Sequence, residues 1–138
     1  MSAKTTVKWT KRMSFEADLD GHKIIIDADP SVGGENKGPK PKPLMLVALA
    51  GCTGMDVVSM LTKMRVELED FSIDVEANLT TEHPKYFDAF TIVYTFKGKD
   101  LPMAKLEKAV NLSQERYCGV SDMYRKFASI DHKIVVVE

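Results

Sequence analysis

Two cysteines are the chain's candidates for chemistry. Cys52 lies in ALAGCTGMD with Gly51 and Gly54 beside it, and Cys118 lies in ERYCGVS with Gly119 after it. The thiolate is the nucleophilic form of cysteine, and a sulfenic acid formed on one thiol can be captured by a second as a disulfide. Two cysteines and no others are the minimum set for attack and resolution. Glycines next to Cys52 let another backbone or a substrate approach its sulfur, at roughly 1 kcal/mol each inside a helix. A break in the helical pattern at Cys118 puts it beside the amides of a new helix start, which favour a thiolate or an oxidised sulfur. The plain alternative is that each is a small buried hydrophobe, as free cysteines commonly are. From the residues alone, both readings stand.

Asp56 follows Cys52 by four residues and shares its helix face. A carboxylate there raises a thiol pKa rather than lowering it. Its expected role is therefore a buried side chain hydrogen-bonded to strand or loop amides. Arg12, in the N-terminal strands, is the candidate cation for a Cys52 thiolate; its plain reading is a surface arginine beside Lys11. Gly33 and Gly38 have the spacing of a phosphate loop, but Pro39 occupies the place of the required lysine. His22, His83 and His132 stand singly, without a second ligand at metal-binding spacing. No metal and no cofactor are expected.

The elements that must position these residues follow from periodicity. Phe15, Ala17 and Leu19 alternate with acidic residues, Asp20-Gly21 is a hairpin signal, and HKIIID returns, so strands are expected over 5–27. Residues 30–43, PSVGGENKGPKPKP, have loop composition, with four prolines and three glycines. A central helix over 44–65 is apolar almost all round, which predicts burial on most faces. FSIDVEANLT and FTIVYTF alternate with period two and predict an antiparallel hairpin over 71–97. Helices are expected over 101–127, opened by Asp100 and Pro102, with Met103, Leu106, Val110 and Tyr117 on one face. A shorter helix then carries Met123, Tyr124 and Phe127, and a terminal strand spans 131–138. The order predicts an α+β fold with a mainly antiparallel sheet.

Bulk properties narrow the partners. With 138 residues the chain fits one domain, and 19 basic against 20 acidic residues give a charge of −1. That balance argues against nucleic acid or an anionic membrane as partner. Asp56 and two glycines interrupt the most apolar stretch, which reads as a core helix rather than a membrane span. No basic, apolar, small-residue leader opens the chain, and the few cysteines suit a reducing cytoplasm.

Taken together, PLMLVALAGCTGMDVVSML and the later LSQERYCGVSDM resemble the OsmC/Ohr superfamily of thiol-dependent hydroperoxide reductases, in its short OsmC-like branch. The resemblance runs from about Trp9 to the last strand. It implies an intertwined homodimer, with long central helices packed against sheets from both subunits. It also implies that Cys52 attacks an organic hydroperoxide to become a sulfenic acid, that Cys118 condenses with it, and that a dithiol reduces the resulting disulfide. Arg12 keeps the family arginine's spacing to the Asp20-Gly21 turn. The glutamate that pairs with this arginine at the helix entry is missing, its place taken by Lys42 and Pro43. That departure keeps a second function open: a non-catalytic homodimer binding a hydrophobic small molecule in its interface pocket.

Overall fold

The computed structural model describes all 138 residues, with Met1–Met45 forming one compact unit and Leu46–Glu138 a second. The first unit is a three-stranded antiparallel meander of β1 (Thr6–Lys11), β2 (Ser14–Leu19) and β3 (His22–Ile26). The β2–β3 turn is Asp20-Gly21, both at positive φ, the tight turn whose twist matches the strands it joins. The β1–β2 turn contains Arg12, also at positive φ. Arg12 thus sits at a hairpin tip rather than within a strand.

The loop after β3 holds no regular element beyond one 3-10 turn, Pro30–Val32, as its prolines dictate. It is organised instead by a buried carboxylate. Asp27 accepts backbone N–H bonds from Ala28 at 2.7 Å and from Glu35 and Lys37 at 3.1 Å. Gly34 is required here, because a Cβ would lie 1.8 Å from the Ala28 carbonyl oxygen.

The second unit places β4 (Asp70–Leu79) antiparallel to β5 (Phe87–Lys97), with Ile73 opposite Tyr94. Strand β6 (Ser129–Val137) pairs with β5 in parallel. Parallel neighbours need a crossover. Here it consists of α2 (Met103–Leu112), a π-turn at Ser113–Tyr117, and α3 (Gly119–Tyr124). Three of the four strand pairings are antiparallel, so the mainly antiparallel α+β expectation stands. Phe90, Ile92, Tyr94 and Phe96 of β5 are all buried, as their alternation requires.

The helix α1 (Leu44–Lys63) ends where Arg65 turns left-handed, with Arg65 N–H bonded to the Thr62 carbonyl and Val66 N–H to that of Leu61. Burial on most faces is not what one chain provides. Only Leu49, Thr53, Val57 and Leu61, one row at four-residue spacing, are buried, while Val47 and Met55 are 66% and 76% exposed. In α2 the buried face is Leu106, Ala109 and Val110. Met103 and Tyr117 are exposed; Met103 stands in the first turn, and the wider π-turn changes the helical phase ahead of Tyr117. In the next segment Tyr124 is buried, whereas Met123 and Phe127 are exposed.

Burial alone would push the Asp27 carboxyl up, but three backbone N–H donors and Lys37 outweigh it and hold it below its ordinary value. A carboxylate lowered in the folded state adds stability above its unfolded pKa of about 4, and that stability is lost as pH falls through the folded value. Asp27→Asn should therefore lower the urea midpoint at pH 7, and the gap from wild type should shrink by pH 3. A gap that stays constant with pH would remove Asp27 as an acid-sensitive anchor.

Candidate functional site: a paired-thiol centre

The site grows from the buried row of α1. Thr53 is polar yet fully buried, and its hydroxyl lies 2.7 Å from both Tyr94 Oη and Ser113 Oγ. These contacts join α1, β5 and the π-turn. Gln114 Nε2 adds bonds to Tyr94 Oη at 2.8 Å and to Thr53 Oγ1 at 3.1 Å. Arg125, just after α3, donates to the Gln114 carbonyl and to its Oε1, each at 2.7 Å. Ser113 Oγ donates to Asp56 Oδ2 at 2.9 Å. The partner of Asp56 is thus a hydroxyl from the crossover, not a strand or loop amide, because the π-turn is what packs over that face of α1.

Cys52 precedes Thr53 on α1 and is half-buried; Cys118, between the π-turn and α3, is 3% exposed. Both are free thiols, and Cys52 is near enough to Cys118 to perturb it. The Cys118 backbone N–H bonds the Ser113 carbonyl at 2.8 Å, and the Ser121 N–H donates to the Cys118 sulfur at 3.3 Å. Burial pushes the Cys118 thiol up from its ordinary value. Ser121, through its hydroxyl and its N–H, acts the other way, and the neighbouring Cys52 pushes upward again. The Ser121 hydroxyl is buried and has no partner at hydrogen-bonding geometry. Burial also raises the pKa of Tyr94, against the opposing bonds from Thr53 and Gln114.

The two glycines beside Cys52 differ in purpose. A Cβ on Gly54 would meet Ile73 Cδ1 at 2.9 Å, so Gly54 admits close packing of α1 on β4. Gly51 has open space instead and lines an apolar groove of about 620 Å³ with Met55, Val58, Phe71 and Ile73. The groove borders the residue before Cys52 and is large and apolar enough to take a hydrophobic molecule.

Arg12 belongs to the first unit. Its Nη2 donates to the Gly33 carbonyl at 3.3 Å, its Nη1 lies 3.9 Å from a Glu35 carboxylate oxygen, and the side chain is exposed. With Lys42 and Pro43 at the helix entry, Glu35 is the carboxylate this arginine meets. An exposed pair of that length holds the guanidinium only weakly.

A profile of the OsmC-like protein family matches residues 34–133. The chain belongs to that family. It is 33% identical to protein YhfA of Escherichia coli over 132 residues, covering 95% of this chain and 96% of that one. The crystal structure of a hypothetical protein from Aquifex aeolicus is 28% identical, with a TM-score of 0.85 over 100% of this chain and 99% of that one. The organic hydroperoxide resistance protein OhrB of Bacillus subtilis shares the fold at 22% identity, with a TM-score of 0.65 over 99% and 98% of the two chains. An OsmC-like α+β fold is thereby established for this sequence.

Of the residues that sequence reasoning singled out, the structure brings Cys52 and Cys118 together. Asp56 is expected from the sequence to bond amides and instead meets Ser113, while Thr53, Ser113 and Gln114 lie in the quoted segments without an assigned role. Tyr94 was read only as an inward strand residue, and Arg125 was not singled out. A usable signal did exist: Thr53 is the one polar residue in the row Leu49, Val57, Leu61.

Proposed function

We propose that this chain is a thiol-dependent peroxidase that reduces organic hydroperoxides, working as a cytoplasmic homodimer in oxidative or osmotic stress defence. The observation that carries the reading is that two free thiols of unequal exposure stand on segments fastened to each other through Thr53, Ser113 and the Cys118 N–H. The more exposed sulfur, Cys52, meets the peroxide, and the buried Cys118 waits behind it. In the first step the Cys52 thiolate attacks the distal peroxide oxygen, the O–O bond breaks, and the alkoxide leaves as an alcohol after taking up a proton. Cys52 is then a sulfenic acid. In the second step Cys118 sulfur displaces the sulfenic hydroxyl, forming the disulfide and releasing water. A dithiol, small or protein-bound, supplies the two electrons that restore both thiols.

The apolar groove at Gly51 supports a hydrophobic substrate over hydrogen peroxide. In the same reading Arg12 supplies the positive charge that a Cys52 thiolate requires. Support for the homodimer comes from α1, whose exposed Val47, Met55 and Val58 form more apolar surface than a folded chain ordinarily leaves bare. A second reading, a non-catalytic homodimer that binds a hydrophobic small molecule, is favoured by the size of that same groove.

Consumption of cumene hydroperoxide with a dithiol reductant separates the two. Wild type should turn over, Cys52→Ser should be inactive, and Arg12→Ala should lose about 10²-fold, the cost of removing one electrostatic donor from a reacting centre, with melting unchanged. Full activity in Arg12→Ala would remove that residue from the mechanism. A folded but inactive wild type would favour the binding protein. The assembly has its own test in sedimentation at micromolar concentration, where a species of 15.4 kDa, the mass of one chain, would contradict the dimer.

A further inference from the structure

The two thiols belong to chain segments far apart in sequence, and the bonds that fasten those segments have a direction that can be assigned atom by atom. Arginine has donors only, so Arg125 at 2.7 Å fixes Gln114 Oε1 as the acceptor and turns Nε2 inward. That Nε2 donates to Tyr94 Oη and Thr53 Oγ1. At the other end the Asp56 carboxylate takes the single Ser113 hydroxyl proton. The Thr53–Ser113 bond must then use the Thr53 proton, and the Thr53–Tyr94 bond the Tyr94 proton. Every proton in the run points from Arg125 toward Asp56. Such a chain, anchored by opposite charges at its ends, has one arrangement rather than several.

Thr53 is its saturated centre, with one proton given and both lone pairs used. It follows Cys52 directly on α1. Its acceptor, Ser113, holds Cys118 in turn, because the Ser113 carbonyl accepts the Cys118 N–H at 2.8 Å. The bond between Thr53 and Ser113, with those from Gln114 to Thr53 and from Ser113 to Asp56, therefore clamps the two cysteine-bearing segments, and Thr53 takes part in two of the three. A valine of the same shape would leave the Tyr94 proton, one Gln114 N–H and a Ser113 lone pair unmatched.

We propose that Thr53 is a positioning residue for the Cys52–Cys118 pair, its hydroxyl holding the two thiols together and so setting their effective concentration toward each other. The inference rests on reading the pair as redox-active, but it needs no peroxide. Against glutathione disulfide, one protein thiolate attacks and releases one glutathione. The second protein thiol then displaces the other glutathione. Two electrons pass from the protein pair, and two glutathione molecules are released.

The test is equilibration of the full chain in glutathione buffers of graded ratio, with the intramolecular disulfide counted by alkylation and mass. Wild type and Thr53→Ser, which keeps the hydroxyl, should give the same effective concentration. Thr53→Val should lose about tenfold, a potential roughly 30 mV more oxidising for a two-electron couple. Arg125→Met, at a surface position, should shift the same way by a few-fold, and it carries the test alone if Thr53→Val does not fold. Wild-type potentials in both Thr53→Val and Arg125→Met would overturn the inference, as would equal shifts in Thr53→Val and Thr53→Ser. A wild type that forms no intramolecular disulfide would instead overturn the redox-pair reading beneath it.

Discussion

The second unit is organised around a hydroxyl where a methyl group would ordinarily sit. Thr53 occupies a row otherwise made of Leu49, Val57 and Leu61, and faces Tyr94 in a strand row otherwise made of Phe90, Ile92 and Phe96. A buried hydroxyl left unpaired costs about 1–3 kcal/mol, so each polar group here constrains the next. Thr53 demands Ser113 and Gln114, Gln114 demands Arg125, and Ser113 demands Asp56. An apolar core of the same volume would be more forgiving of sliding between α1 and the crossover. The polar chain accepts one register only, and the position of Cys118 against Cys52 follows from it.

That placement divides the labour between the sulfurs by environment. Cys52 is half-buried, while Cys118 is enclosed, with its pKa raised by burial and by its neighbour. A nucleophile must be reached by substrate, whereas a resolving thiol needs protection from it and closeness to the first sulfur. Ser121 fits the second role through an N–H aimed at the Cys118 sulfur. The π-turn makes this possible, because its extra residue carries the chain out of the helical phase of α2 and sets Cys118 apart from that buried face.

Much of the fold was legible because it is written in local period. The alternation in 71–80 and 87–97 gave both strands, and Asp20-Gly21 gave the first unit's tight turn. Strand direction was not legible: period two is the same in either sense, so the parallel pairing of β6 with β5 appears only once the crossover is seen. Apolarity all round α1 predicts burial on most faces, but one chain covers only one row. Gly34 and Asp27 make a built loop where composition spoke only of proline and glycine. At the site, the cysteines were visible as residue types, and their likeness to the family pattern paired them. The bonds from Thr53 to Tyr94, Ser113 and Gln114 cross 41, 60 and 61 residues of sequence, which no local pattern encodes.

The central claim is that Cys52 and Cys118 form one two-electron centre. Its most direct test is to add one equivalent of cumene hydroperoxide to the fully reduced chain under denaturant-free conditions, then count free thiols and measure intact mass. The account predicts that both thiols vanish together, and that each chain loses two hydrogens with no added oxygen and no link to a second chain. Two thiols remaining, or oxygen added to Cys52 while Cys118 stays free, would contradict it.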